Sequence, residues 1–119
     1  MKIAVTSLGQ DLDSEMDPKF GRAAYILIVD TETLEFESLD NSENVNSFKG
    51  AGVQAAAMVG NNGAKVLLTG HCGPKAFETL DKVGVKVVND VMGNVRKAVQ
   101  NFDYDKATFA QGPDAEPYS

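Results

Sequence analysis

The sequence predicts an α/β protein built on a mixed five-stranded sheet with helices on both faces. Near the N-terminus, β-forming segments follow one another with only turn and loop residues between them, which favours antiparallel pairing. Farther along, short apolar runs alternate with stretches of helical periodicity, a pattern typical of parallel strands joined by crossover helices. A length of 119 residues with 43% hydrophobic residues is sufficient for one domain with an ordinary core.

Three strands are predicted in the N-terminal part of the chain. Residues 2–6 predict the first strand, with isoleucine and valine at alternate positions. Residues 25–29 are an almost continuous β-prone apolar run, which is typical of a central strand. Residues 34–39 alternate apolar and polar positions and predict a half-exposed partner, so that the second and third strands form an antiparallel hairpin. Polar loops are expected at 7–22 and 40–49.

Three helices and two further strands are predicted in the rest of the chain. Small and apolar residues at helical spacing predict helices that begin near Gly50, at Pro74 and after Asp90, with Asp90 as the N-cap of the last one. Short apolar runs between these helices predict strands at 66–69 and 85–88. The resulting order, three strands followed by alternating helices and strands, is that of a ribonuclease H-like fold.

The predicted domain covers residues 1–102, and its ligand site is expected at one edge of the sheet. Residues 103–119 change in composition to Asp, Gly, Pro and Ser and are predicted to form an acidic, flexible C-terminal tail. In open α/β sheets, ligands bind beyond the carboxyl ends of the strands. The segments expected to arrive there are 7–22, 41–52 and 70–74.

Charge and cysteine content narrow the class of function. The formal net charge of −6 argues against broad nucleic-acid binding, which requires a basic face, although a local basic pocket could still bind an anion. A single cysteine excludes an internal disulfide. The sequence has neither a recognisable signal peptide nor a long apolar run, so a cytoplasmic location without membrane contact is expected.

The single histidine and the single cysteine of the chain are neighbours at a predicted strand-to-helix junction. His71 and Cys72 stand between Gly70 and Gly73, and Pro74 follows at the first helical position, where its missing N–H would be unpaired in any case. Helix N-termini attract anions and lower the pKa of a thiol. A thiol, an imidazole and backbone N–H groups at one point predict a site for a soft metal or a metal–sulfur anion, with Cys72 and His71 as candidate metal ligands.

Other residues of the same loops are predicted to complete this site. A bulky, soft metal–sulfur anion requires hydrogen-bond donors, nearby positive charge and an apolar wall. Glycines at helix starts expose backbone N–H groups, which are suited to anions. The candidates are Gly50, Gly52 and Gly73 for backbone donors, Lys19, Arg22, Lys49 and Lys75 for positive charge, and Met16, Phe20 and Phe48 for the wall.

Four motifs, taken in order, resemble the nitrogenase iron–molybdenum cofactor biosynthesis family. They are MKIAVTS at 1–7, DPKFGRA at 17–23, GAGVQAA at 50–56 and GHCGPKAF at 70–77. Within that family, the sequence resembles the small stand-alone members from sulfate-reducing bacteria. The resemblance implies a ribonuclease H-like fold that carries a metal–sulfur cluster, either a molybdenum–copper sulfide or a precursor of the iron–molybdenum cofactor. It also implies storage or delivery to a recipient protein rather than catalysis.

Two other classes of function stay open beside the carrier. A nuclease or hydrolase would suit the fold, but the positions where two-metal chemistry needs carboxylates hold Thr6, Ser7, Gln54 and Thr69. A metal-free module that binds a small anion or another protein would also use glycine-flanked helix starts, although neither a Gly-x-Gly-x-x-Gly fingerprint nor a phosphate-binding loop is present. A coloured cluster would distinguish the carrier from both alternatives.

Each candidate residue also has a purely structural interpretation. Cys72 could be a partly buried thiol without a role, and His71 a solvent-facing loop residue. Phe20 could anchor its loop on the core instead of lining a ligand. The acidic residues of the loops, Asp17 among them, are expected to be solvated charges.

Overall fold

The computed structural model describes residues 1–45 and 50–113, and in these residues five strands and four helices form one layered unit. The strands are β1 (Lys2–Ser7), β2 (Tyr25–Asp30), β3 (Phe36–Asp40), β4 (Val66–Leu68) and β5 (Lys86–Val88). The helices are α1 (Ser42–Val45), α2 (Ala51–Asn61), α3 (Pro74–Lys82) and α4 (Val95–Asn101).

The strands lie in the order β3-β2-β1-β4-β5, so the mixed five-stranded sheet predicted from the sequence is confirmed. Strands β1, β2 and β3 pair antiparallel, while β4 is parallel to β1 and β5 is parallel to β4. The turn between β2 and β3 is too short for a crossover, which makes their pairing antiparallel. The helices α2 and α3 supply the crossovers that parallel pairing requires.

Both faces of the sheet are covered by helices. Side chains along β1 alternate between the two faces, so neighbouring residues of this strand belong to different buried clusters. Ala4 belongs to a buried cluster formed with α2 and α3, whereas Ile3 and Val5 belong to a second cluster formed with α4 and the loop after β1. That loop is tied to α4 by an ion pair in which the Arg96 guanidinium lies 2.9 Å from the Asp13 carboxylate and lowers the pKa of Asp13. Helices therefore pack on both faces of the sheet.

Small residues hold α2 and α3 side by side and parallel. A Cβ built on Gly52 would lie 2.8 Å from the Cβ of Ala76, and one built on Gly60 would lie 2.8 Å from a methyl group of Val83. The first contact joins the beginnings of the two helices and the second joins their ends. Because the helices run in the same direction, their N-termini are neighbours at the edge of the sheet where β1 and β4 end.

The last helix begins later than the sequence predicted, so the assignment of Asp90 as its N-cap is wrong. Asn94 is the N-cap, and its side-chain oxygen accepts a hydrogen bond from the backbone N–H of Lys97 at 3.1 Å. Asp90 instead lies in the turn before the helix with a φ of +60°. Its N–H donates to the carbonyl of Gly70 at 3.0 Å, which keeps it beside the end of β4.

The hairpin and the loop that follows it also differ in detail from the prediction. The third strand begins at Phe36 instead of Leu34, because Leu34 has a φ of +62° and belongs to the turn. The short helix α1 lies within the predicted polar loop. The Asp40 carboxylate accepts the N–H of Ser42 at 2.8 Å as that helix begins, and this hydrogen bond holds the pKa of Asp40 below its usual value.

Part of the predicted tail packs against the sheet. The N–H of Ala110 donates to the carbonyl of Val87 at 2.7 Å, and the Lys86 ammonium lies over the rings of Tyr104 and Phe109 at 5.7 and 5.0 Å from their centroids. Residues 114–119 lie outside the described residues, and the domain boundary at 102 stays a prediction. Among the described residues, no helix has the length and apolar character needed to cross a membrane.

Candidate functional site

Two loops predicted to form the site are joined at the carboxyl ends of β1 and β4. The N–H of His71 donates to the carbonyl of Pro18 at 2.7 Å, and the N–H of Phe20 donates to the carbonyl of His71 at 3.2 Å. These two bonds form a short parallel bridge between Lys19 and His71. The segment 17–24, here called the arginine loop after Arg22, is thereby fixed against the segment that follows β4.

Close backbone contacts bring the arginine loop against the start of α2 as well. A Cβ on Gly21 would lie 2.8 Å from the backbone nitrogen of Gly52, and a Cβ on Gly70 would lie 2.5 Å from the carbonyl oxygen of Pro18. Glycine is needed at both positions because the opposing atoms belong to the backbone and cannot turn away. The arginine loop, the start of α2 and the segment after β4 therefore meet at one place.

Buried hydrogen bonds hold the beginning of the arginine loop. The Thr6 hydroxyl donates to the carbonyl of Asp17 at 2.6 Å and lies 3.0 Å from the Thr69 hydroxyl. The Asp17 carboxylate accepts the backbone N–H groups of Lys19 at 3.1 Å and Ala24 at 3.4 Å. The expectation that Asp17 is a solvated charge is wrong, because its side chain is buried and bridges both ends of the loop.

A second buried side chain, that of Asn41, holds the other side of the arginine loop. Its amide nitrogen donates to the carbonyls of Gly21 at 3.2 Å and Ala23 at 2.8 Å. Neither Asn41 nor Asp17 was predicted as part of the site. Asn41 bonds carbonyls 18 and 20 residues earlier, which no local spacing indicates, whereas the Asp17 carboxylate bonds N–H groups only 2 and 7 residues ahead. The one signal in the sequence is their position, since each is a short polar residue in a loop that reaches the predicted site.

The helices α2 and α3 both begin with a glycine at the N-cap. Gly50 has a φ of +101°, Gly73 is extended, and neither helix start has a side-chain cap hydrogen bond. Such a helix start directs its first-turn N–H groups and the positive end of the helix dipole toward any anion bound at its N-terminus. Because Gly52 packs closely against Ala76, the starts of α2 and α3 lie side by side.

The predicted charged and metal-ligating residues separate into exposed and buried groups. Arg22, His71 and Lys75 have exposed side chains around the meeting point of the three segments, as does Lys19. Cys72 is 1% exposed, and its Sγ lies 3.7 Å from the carbonyl oxygen of Gly73. The imidazole is therefore accessible to a ligand in this conformation, whereas the thiol packs in the core beside α2 and α3.

The two described residues of the predicted apolar wall, Phe20 and Met16, lie in different core clusters. Phe20 is buried in the same core cluster as Cys72, which agrees with its alternative interpretation as a loop anchor. The assignment of Met16 to the wall is wrong, because its side chain packs on the opposite face of the sheet with Val95 and Val99. Phe48 and Lys49 lie outside the described residues.

Two of the positions considered for two-metal chemistry, those of Thr6 and Thr69, are close together in the structure. Thr6 and Thr69 stand side by side at the ends of β1 and β4 and form a hydrogen-bonded pair. Across residues 1–45 and 50–113, no group of three His, Cys, Asp or Glu side chains is arranged to hold a metal ion.

A separate cleft with a volume of about 660 Å³ lies on the α4 side of the sheet. Its lining is mainly apolar and includes Leu68, Val91, Met92 and Phe102. We call it the α4 cleft. Leu68, Val91 and Phe102 also belong to the cluster formed with α4, and the cleft shares no lining residue with the arginine loop or the starts of α2 and α3.

Fold and site together define a small α/β protein in which the arginine loop and the N-termini of α2 and α3 meet at one edge of a mixed sheet. The chain belongs to the dinitrogenase iron-molybdenum cofactor family, whose sequence model matches residues 1–104. The family resemblance predicted from the four motifs is thereby confirmed.

Solved structures and a curated sequence agree with this membership. The apo form of the orange protein from Desulfovibrio gigas is 44% identical, covers 96% of both chains and has a TM-score of 0.90. A protein from Thermotoga described as a NifB protein is 31% identical over 91% of both chains, with a TM-score of 0.75. An uncharacterised protein of Methanocaldococcus jannaschii is 24% identical over 86% of this chain and 89% of its own length.

Proposed function

We propose that this protein is a non-catalytic carrier of a metal–sulfur cluster, which it binds as an anionic cargo against the starts of α2 and α3. The observation that carries the proposal is the pairing of two glycine-capped helix starts beside the arginine loop in a member of a cofactor family. The cargo we favour is a molybdenum–copper sulfide, with a precursor of the iron–molybdenum cofactor as the second candidate. The strand order also supports assigning the fold as ribonuclease H-like.

The electrostatics of the site suit such a cargo even though the protein is acidic. A thiometallate is a large anion with diffuse charge, so it is stabilised by several weak donors better than by one strong ligand. The backbone N–H groups near Gly50, Gly52 and Gly73 supply donors. The side chains of Arg22 and Lys75 supply positive charge at the same place, against a formal net charge of −6 for the whole chain.

Within this proposal His71 is the side chain that contacts the cluster, either as a hydrogen-bond donor to sulfide or as a metal ligand. Gly70 has a supporting role because it lets the arginine loop approach β4. Lys49 is assigned to the site from its sequence position alone. A recipient protein is the expected partner, since a carrier has to pass its cargo on.

The role of Cys72 is tested by replacement with alanine. Because the thiol is buried, we expect Cys72→Ala to take up the same cluster with the same visible bands, and to lose about 1 kcal/mol of stability through lost packing. The measurements are the visible spectrum of the loaded variant and urea denaturation of the cluster-free variant. Shifted sulfur-to-metal bands or a changed metal ratio would instead identify Cys72 as a ligand.

The proposed function is tested by reconstitution. We expect cluster-free protein mixed with tetrathiomolybdate and a copper(I) salt to remain coloured after desalting, with a constant ratio of molybdenum to copper per protein chain. The control is the same mixture desalted with urea-unfolded protein. A colourless, metal-free product, followed by the same result with iron–sulfur precursors, would refute the carrier and favour a metal-free module that binds small anions or another protein.

A further inference from the structure

Asn41 has an unusual set of contacts around Arg22. Its side chain is fully buried, and its amide nitrogen donates to the carbonyls of Gly21 and Ala23, which are the residues on either side of Arg22. The backbone N–H of Asn41 donates to the carbonyl of Ala24 at 3.1 Å. One residue therefore holds the Gly21–Arg22 peptide unit and the Ala23–Ala24 peptide unit, which lie on either side of the Arg22–Ala23 bond.

The orientation of the Asn41 amide is itself determined by its surroundings. The atoms of Gly21 and Ala23 that face the Asn41 side chain are carbonyl oxygens, so the side-chain atom that contacts them has to be the nitrogen. The amide oxygen accepts the side-chain amide of Asn44 at 2.7 Å, and that same amide nitrogen lies 3.7 Å from the sulfur of Met58 in α2. The contacts form a continuous connection from the arginine loop through α1 to α2.

We propose that Asn41 is a positioning residue for the cluster site, and that it acts by holding the backbone of Arg22 beside the start of α2. The proposal rests on the function proposed above, because it assumes that Arg22 attracts an anionic cargo. Arg22 stands one residue beyond the contact between Gly21 and Gly52. A backbone that is fixed there limits the conformations of the exposed guanidinium before the cargo arrives, which lowers the entropy lost on binding.

A double-mutant cycle tests whether Asn41 acts through Arg22. We expect Asn41→Ala to weaken the apparent affinity for tetrathiomolybdate with copper(I) about tenfold in the otherwise wild-type chain. In an Arg22→Ala background the same change is expected to have less than about a twofold effect, since the side chain that Asn41 positions is gone. Equal losses in both backgrounds would overturn the proposal and leave Asn41 a general structural residue.

Asn62 provides the matched control. Its amide nitrogen donates to the carbonyl of Met58 at 2.7 Å, which places a comparable hydrogen bond at the far end of α2. Asn62→Ala is expected to leave the affinity unchanged. If Asn41→Ala does not fold, Asn41→Ser takes its place in the cycle, because a hydroxyl retains one donor at this position.

A second readout does not require the cargo. Trypsin cleaves after arginine, and it cleaves faster where the backbone is released from the fold. In the cluster-free Asn41→Ala protein, the backbone around Arg22 is expected to be released. Cleavage of the Arg22–Ala23 bond is therefore expected to be about tenfold faster than in the wild type and in Asn62→Ala. An unchanged cleavage rate would overturn the positioning role. If the wild type takes up no cluster, the proposed function fails, while the cleavage rates still decide whether Asn41 holds the arginine loop.

Discussion

Replacing Gly70 with alanine is expected to lower the free energy of unfolding by about 3 kcal/mol and to abolish cluster uptake. The added Cβ would lie 2.5 Å from the carbonyl oxygen of Pro18 and 2.8 Å from its Cα, and both are backbone atoms. Pro18 cannot retreat easily, because the neighbouring Asp17 is held by Thr6 through two hydrogen bonds of 2.6 and 3.0 Å. The arginine loop would therefore separate from β4, taking Arg22 away from the helix starts.

The stability change is measured by urea denaturation of the cluster-free protein, and uptake by the visible spectrum after desalting. Gly112→Ala is the matched control, because nothing lies within 4 Å of a Cβ built there. Its expected effect on the free energy of unfolding is below about 0.5 kcal/mol. A Gly70→Ala protein with wild-type stability and wild-type uptake would contradict the close packing of the arginine loop on β4.

Removing the two positive side chains of the site is expected to weaken uptake about thirtyfold at low ionic strength, equivalent to about 2 kcal/mol. The variant is Arg22→Ala combined with Lys75→Ala. The loss is expected to shrink to a few-fold near 1 M salt. The Debye length is about 30 Å at 0.01 M salt but only about 3 Å at 1 M, so the attraction is screened at the higher concentration. The measurement is the apparent affinity for tetrathiomolybdate with copper(I) at both salt concentrations.

A charge-matched control separates a local effect from the net charge of the protein. Lys65 and Lys82 are exposed at the opposite edge of the sheet, where β4 begins and α3 ends. The Lys65→Ala and Lys82→Ala pair makes the same change in net charge and is expected to alter uptake less than about threefold at low salt. Equal losses at both salt concentrations in the Arg22 and Lys75 variant would indicate damaged packing instead of lost electrostatic attraction.

The sheet and the meeting of the loops at one of its edges could be predicted from the sequence because both follow from local patterns. The apolar run at 25–29 and the alternation at 34–39 identify a hairpin through side-chain periodicity alone. Gly50 and Gly73 mark helix starts that follow polar loops or strand ends. Since parallel strands direct their carboxyl ends to one edge of the sheet, these loops are expected to meet there, and they do.

The supports of the site could not be predicted, because they depend on contacts between distant segments. Asn41 reaches carbonyls 18 and 20 residues earlier in the chain, and no sequence spacing encodes such a bond. The burial of Cys72 has the same origin. Whether its side chain points into the core depends on the conformation of the segment after β4, which is bonded to the arginine loop. Residue type alone favours Asp90 as a helix cap, but α4 begins only at Val95, and Asp90 lies in the preceding turn with a φ of +60°.

In the function proposed above, the cargo lies against the paired helix starts and beside the arginine loop. The most direct test is the change in backbone amide NMR signals when the protein is loaded with molybdenum(VI)–copper(I) sulfide, whose closed-shell metals leave nearby signals observable. We expect the largest shifts at Gly52, Gly73 and Arg22, with small shifts at Met92 and Phe102. Largest shifts in the α4 cleft, around Met92 and Phe102, would contradict it and locate the cluster on the other face of the sheet.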